Sequence, residues 1–331
     1  MVSIIMPVKN AALFLDACIE SIVKQDYTHW ELISVDDHST DDSYSILEKF
    51  AKHDARIHLI RNSGDGIIEA LQEGYALSKG NMIHRMDADD LMPPEKLKLL
   101  SQQLEEAGKG NVATGLVEYF SADGVSEGYQ KYEQWLNTLC KEANHWSSIY
   151  KECVIASPAW MLYREDFEAC GGFNSTIYPE DYDLVFRFYK AGYQVCSVLE
   201  TVHLWRDHSK RTSRNHPNYQ ENAFFKLKLQ YFFKLDREVA RPLVVWGAGP
   251  KGKAMVRLLQ EKNEIFVWAS NNANKHGHDI YGQIMQSIDQ IMQLRNPQIL
   301  ITVAQRSAQE EIRDHLDAYG LKTYEDYFFF R

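Results

Sequence analysis

Disulfide and zinc frameworks are missing from this sequence. Its 331 residues hold five cysteines (Cys18, Cys140, Cys153, Cys170 and Cys196), odd in number, far apart and without a CxxC pair. Neither a structural metal nor a disulfide scaffold is expected, and a reducing cytoplasm suits this usage. Long apolar runs are missing too. None approaches the roughly 18 residues needed to span a bilayer, so no transmembrane segment is expected. The start, MVSIIMPVKN, is too short and too soon interrupted to read as a signal peptide. Positive charge is in deficit: 36 Lys and Arg face 46 Asp and Glu, a formal net charge of −10. That argues against a surface that as a whole grips nucleic acid or anionic lipid, and leaves room only for a local basic groove. There is no internal repeat and no low-complexity tract.

What the chain does have is alternation. VSIIMPV (2–8), WELISVDD (30–37), RIHLIRN (56–62) and NMIHRMD (81–87) read as strands. Each is followed by a helical pattern. In the first, Leu15, Ile19, Ile22 and Val23 recur at i, i+4, i+7 and i+8. PPEKLKLLSQQLEEAG reads as a helix with proline in its first turn. Four strand–helix units in succession predict an α/β fold with a mainly parallel, doubly wound sheet. Regularity is then lost. Residues 130–157 are aromatic-rich and mixed, PAWMLYREDFEACGGF suggests a strand, a short helix and a glycine turn, and YPEDYDLVFRFYKAGY reads as a helix. A long helix is expected across 218–235. Beyond Asp236-Arg237-Glu238 a new strand, glycine turn and helix begin at LVVWGAGPKGKAMVRLL, so a domain boundary is placed near 238.

The acids carry the chemistry. Asp36 and Asp37 close the second strand, and Asp87, Asp89 and Asp90 crowd after the fourth. Ligands of parallel α/β sheets bind at the carboxyl ends of the strands, so both groups should face one edge. Three carboxylates this close repel one another and call for compensation by a metal, a base or solvent. Hard oxygen ligands of this kind suit Mg²⁺ or Mn²⁺, which can also hold phosphates.

VSIIMPVKNAALFLDACIESIVKQDYTHWELISVDDHSTDDS resembles the opening of family 2 glycosyltransferases of the GT-A fold. GIIEALQEGYALSKGNMIHRMDADD resembles the middle of that domain, and GGFNSTIYPEDYDLVFRFYKAGY its catalytic stretch. The likeness runs in consistent order across residues 1–210. It implies a GT-A nucleotide-diphospho-sugar transferase domain over 1–215; the residues beyond read as a helical linker over 216–238 and a small Rossmann-like domain over 239–331. It also implies a metal-dependent, inverting transfer from a nucleotide-diphosphate donor, a UDP-sugar first, to an acceptor hydroxyl. On this resemblance Pro7, Lys9, Asn10 and Gly64 border the nucleotide. Asp37, with Asp36 beside it, contacts uracil or ribose, and Arg85 approaches the diphosphate. Asp87 and Asp89 form the DxD pair, and Asp90 and His208 complete the surroundings of a Mn²⁺ or Mg²⁺ ion. Glu180-Asp181 matches the ED pair, with Asp181 as general base. Trp160 would pack against the acceptor.

A solvated helix start would also account for the STDD and EDYD acids. His208 could equally lie on a solvated basic loop with Arg206, Lys210, Arg211 and Arg214. WGAGPKG places Gly247, Gly249 and Gly252 between a strand and a helix, a phosphate-cradling arrangement. A dinucleotide reading wants an acid at the end of the next strand, where EIFVWASNNANK offers Ser270 and Asn271. NAD(P) or another nucleotide at this turn is therefore an alternative, as are packing and homodimerisation. A sugar-1-phosphate nucleotidyltransferase would show a glycine-rich basic loop where this chain has PVKNAALFL. The whole layout, with YEQWLNTL, more loosely resembles the β-1,3-N-acetylglucosaminyltransferase-like proteins, which include queuosine-tRNA galactosyltransferases. The acceptor expected is a glycan or small-molecule hydroxyl, with tRNA as the less favoured choice.

Overall fold

Strands that are apolar on both faces need layers on both sides. β2 (Trp30–Asp36) is buried along its whole length, and β1 (Val2–Val8) nearly so. The computed structural model describes residues 1–209, 211 and 224–330. The chain divides into two units, Met1–His145 with Val154–Asn215, and Trp146–Cys153 with His216–Arg331.

In the first unit, β1 is followed by α1 (Ala12–Val23), β2, α2 (Ser43–His53), β3 (Ile57–Arg61), α3 (Ile67–Leu77), β4 (Met82–Arg85) and α4 (Lys96–Ala107). Then come β5 (Asn111–Phe120), α5 (Glu127–Glu142), β6 (Met161–Tyr163), α6 (Arg164–Ala169), α7 (Glu180–Lys190) and β7 (Gln194–Arg206). They form a seven-stranded sheet in the order β3-β2-β1-β4-β6-β5-β7. β1 pairs in parallel with β2 and β4, β2 with β3, and β5 with β7. β6 runs antiparallel to β4 and β5. Two reversals make β5 and β7 parallel to β4, so β1, β2, β4, β5 and β7 all end at one edge. Leu15, Ile19 and Ile22 of α1 are buried against this sheet, as the spacing predicts, whereas Val23, expected on the same face, is exposed at the end of the helix.

Two elements differ from the sequence reading. Pro93 and Pro94 precede α4, which starts at Lys96. The mixed stretch after residue 130 holds most of α5, a 16-residue helix. The second unit carries the helix Phe225–Leu235, with Phe224 just before it; residues 218–223 of the expected helix lie outside the described residues. It then builds a parallel sheet in the order β13-β12-β8-β9 from β8 (Leu243–Trp246), β9 (Phe266–Ala269), β12 (Gln298–Ile301) and β13 (Tyr327–Phe329). A short hairpin, β10 (Asp279–Ile280) with β11 (Gln283–Ile284), follows β9. A Cβ on Gly252 would lie 2.0 Å from the Gly247 carbonyl oxygen. That glycine lets the helix Pro250–Glu261 approach the turn after β8. Among the described residues, no helix is long and apolar enough to cross a membrane.

Candidate active site

β1 and β2 supply the first wall. Asp37 follows β2 and is almost fully buried. Its Oδ2 accepts from Lys9 Nζ at 2.9 Å, and its Oδ1 from Asn62 Nδ2 at 2.7 Å and Gly66 N at 2.9 Å. Burial works against the charge. The Gly66 amide, Lys9 and Asn62 outweigh it and hold the carboxyl below its ordinary range. Gly66 has φ +101°, a backbone conformation that side-chain-bearing residues rarely adopt, and this turns its amide toward Asp37. Asp36 differs: its Oδ1 is buried without a partner. Asn10 spans the β1 and β2 loops, accepting from Thr40 N at 2.8 Å while its own N–H reaches Ser39 Oγ at 3.0 Å. Pro7 lies within β1, opposite Val35 of β2. The Gly64 carbonyl meets His38 Nε2 at 2.8 Å.

The turn after β4 supplies the second wall. Asp89 Oδ2 and His208 Nε2 are 2.9 Å apart, and both side chains are partly exposed. Burial raises the affinity of Asp89 for a proton, but His208 and the nearby Arg211 charge leave its pKa lowered. The His208 ring rests on Phe14 at 4.6 Å between centroids. Arg85 is buried and forks, with Nε on Asp87 Oδ1 at 3.1 Å and a terminal nitrogen on Glu180 Oε1 at 2.9 Å. It thereby ties the Asp87 turn to the start of α7. Asp181 follows Glu180 in the first turn of α7, and its Oδ1 accepts from Tyr182 N at 2.8 Å. Burial and the adjacent Glu180 charge push its pKa up to about 7, against the opposing pull of Arg85.

Three expectations need correction. Asp90 does not join Asp89 and His208. It is 1% exposed, and its oxygens accept from Arg206 N at 2.7 Å and His203 Nε2 at 3.0 Å. Among the described residues, no three His, Cys, Asp or Glu side chains converge as a ready metal site, so the four expected ligands do not come together. Trp160 does not offer its face to an acceptor. It is 1% exposed and packs on Phe167 at 5.7 Å and edge-on to Phe188 at 5.9 Å. Of the basic run, Arg206 donates from Nε to the Asp89 carbonyl at 2.7 Å, and Arg211 lies 5.0 Å over the Trp205 ring. Lys210 and Arg214 lie outside the described residues.

The sequence reading missed Asn62, Lys96 and His203. Lys96 has a signal in hindsight, because it occupies the same helix face as Leu100 and Leu104, where an apolar residue belongs.

An Asp/His pair, and a buried arginine bridged to Glu180 beside the raised Asp181 carboxyl, can hold a polyanion and accept a proton. Comparison with known proteins agrees with a transferase. GlyG, a glycosyltransferase of Streptococcus pneumoniae, is 24% identical over 217 residues, 63% of this chain and 71% of the relative. An uncharacterized glycosyltransferase of Haemophilus influenzae is 28% identical over 241 residues, 69% and 72%. S. aureus TarS in complex with UDP-GlcNAc superposes with a TM-score of 0.54 at 17% identity, covering 72% of this chain and 68% of that one. The mannosyltransferase PcManGT of Pyrobaculum calidifontis, in complex with GDP-Man and Mn²⁺, gives 0.53 at 20% identity, covering 77% and 68%. These superpositions carry the fold, which is GT-A. The family description Glycosyl transferase family 2 matches residues 3–171, just over half of the sequence, and the chain belongs to that family.

Proposed function

We propose that this chain is a metal-dependent, inverting glycosyltransferase that moves a sugar from a nucleotide-diphosphate donor, a UDP-sugar first, to an acceptor hydroxyl. The observation that carries the reading is the Arg85 bridge. It joins Asp87, in the turn that also bears Asp89, to the helix start that bears Asp181. On this reading the donor site and the base lie side by side. Neighbouring GT-A structures hold UDP-GlcNAc, or GDP-Man with Mn²⁺, which supports a nucleotide-sugar donor and a divalent ion.

Asp36 supplies the nucleoside contact. Its buried, unpartnered oxygen suits an N–H or O–H donor from a base or ribose. Asp89 and His208 fit a metal, as a hard oxygen beside an imidazole nitrogen on two partly exposed side chains. Mg²⁺ and Mn²⁺ are commonly held by one or two carboxylates plus substrate phosphates. When bound, such an ion neutralises charge on the leaving diphosphate. Asp181 takes the acceptor proton as the hydroxyl oxygen bonds the anomeric carbon and the bond to the diphosphate breaks. Its raised pKa suits a base working near neutrality. One base and one displacement give inversion, by the logic of inverting glycosidases with an alcohol in place of water. A net charge of −10 favours a glycan or small-molecule acceptor over a polyanionic tRNA.

Calorimetric titration with UDP, with and without Mn²⁺, tests the reading on wild type and Asp89→Ala. Metal-dependent binding that the variant loses is expected. Equal binding with and without metal would overturn the metal role, and no UDP binding would overturn the donor.

A further inference from the structure

The turn that carries Asp89 is gripped from inside the protein. Leu91 and Leu204 form an antiparallel bridge, donating to each other at 3.0 and 3.1 Å. Arg206 adds its backbone N–H to Asp90 and its guanidinium to the Asp89 carbonyl. Behind Asp90 lies a line of buried polar groups. His203, fully buried, reaches Asp90 Oδ2 through Nε2 at 3.0 Å. Lys96, also fully buried, donates from Nζ to His203 Nδ1 at 3.2 Å and to the Pro158 carbonyl at 2.6 Å. With Lys96 Nζ as the donor, His203 accepts at Nδ1 and presents Nε2–H to Asp90. The order Lys96–His203–Asp90 therefore fixes a tautomer. It also connects three elements: the first residue of α4, a residue of β7 and the turn after β4.

A lysine with no exposed surface is costly unless paired and hydrogen-bonded. A leucine at position 96 would continue the apolar face that Leu100 and Leu104 share. Generic packing does not call for this polar line, but directional anchoring of Asp90 does. Asp90 is next in sequence to Asp89, so orienting one carboxylate inward sets the direction of the other.

We propose that Lys96 and His203 are positioning residues for the donor site. They hold Asp90 inward, so that Asp89 faces outward toward His208 and is preorganised for the metal and diphosphate. The inference rests on the donor reading above. Outer partners of metal ligands typically contribute about 10–100-fold to metal affinity.

The test compares wild type, His203→Phe, His203→Gln and Lys96→Met as full chains. Each is titrated with UDP across a Mn²⁺ series by calorimetry, with thermal melting alongside. His203→Phe removes both hydrogen bonds. His203→Gln retains an amide donor that can reach Asp90. Lys96→Met keeps the length of the side chain without the charge. The Mn²⁺ concentration needed for UDP binding should rise about tenfold or more in His203→Phe and in Lys96→Met. His203→Gln should recover most of the loss, and UDP binding without Mn²⁺ should stay at the wild-type level. A merely structural role would instead lower the melting temperature without changing the Mn²⁺ requirement, and that result overturns the proposal. So would equal losses in His203→Phe and His203→Gln. Should His203→Phe not fold, Lys96→Met decides alone. Wild type that binds UDP without regard to Mn²⁺ would sink the metal reading itself, an outcome distinct from variants that match a metal-dependent wild type.

Discussion

Glu180 and Asp181 are chain neighbours in opposite surroundings. Glu180 meets the Arg85 guanidinium, whereas Asp181 sits beside that negative charge with its pKa pushed up to about 7. A base works when deprotonated, so transfer should rise with pH through about 7 and level off above it. Glu180→Gln removes the charge that helps raise Asp181, so the acid limb of kcat/KM should move to lower pH; an unmoved limb would count against Asp181 as the group seen. Asp181→Asn should lose about 10²–10⁴ in kcat while still binding UDP. Linkage gives a second reading of the same residue. Its folded pKa lies above the unfolded value near 4, so the protonated form contributes stability below that value. The contribution is lost as pH rises through about 7. Asp181→Asn should therefore melt higher than wild type at pH 8, by about 2 kcal/mol for a partly exposed carboxyl, and match it at pH 4. At this scale the sequence identified the acids but not their directions. Residue order put Asp90 beside Asp89 and Trp160 near α7, and only the packing turns both side chains inward.

α5 shows why an element can hide. Its apolar residues Tyr129, Tyr132, Leu136 and Cys140 keep helical spacing, yet Glu133 and Asn137 interleave on the same side. Those two polar groups serve the sheet. Asn137 accepts from Val117 N and donates to Val117 O, both at 2.9 Å, and Glu133 accepts from Tyr119 N at 2.6 Å. β6 pairs with β5 only near Ala113, so α5 side chains take over along the rest of that edge. A stripe that is half polar does not read as amphipathic, which is why residues 130–157 looked mixed. Asn137→Ala would leave both backbone groups of Val117 without these partners. We expect a loss of about 1–2 kcal/mol in stability and faster amide exchange at Val117. Unchanged protection there would mean that water or another group replaces the amide. By contrast β1 to β4 were legible because apolar residues dominate them, even though Ser3, Glu31, Ser34 and His84 are buried among those residues.

At the scale of the whole chain, two turns invite a nucleotide, and the physics separates them. The turn after β2 ends in carboxylates, with a buried Asp36 oxygen that has no partner. For the turn after β8, where a dinucleotide site wants a carboxylate for the ribose, the end of β9 supplies Ser270 and Asn271, and Asn271 Oδ1 already accepts from Trp246 Nε1 at 2.6 Å. The Gly252 position is filled by the Gly247 carbonyl, so this glycine serves close helix–strand packing. Helix approach of this kind is shared by Rossmann-like turns with and without cofactors, which is why GxGxxG alone did not decide. The two turns therefore predict opposite results for the same full-length chain. Fluorescence titration with NADH should give no saturable signal, while UDP with Mn²⁺ should bind and be lost in Asp89→Ala. Saturable NADH binding that persists in Asp89→Ala would assign a cofactor to the second unit. Ser270 and Asn271 would then have to take the ribose hydroxyls that an acid takes elsewhere, with the Trp246–Asn271 hydrogen bond broken to do so.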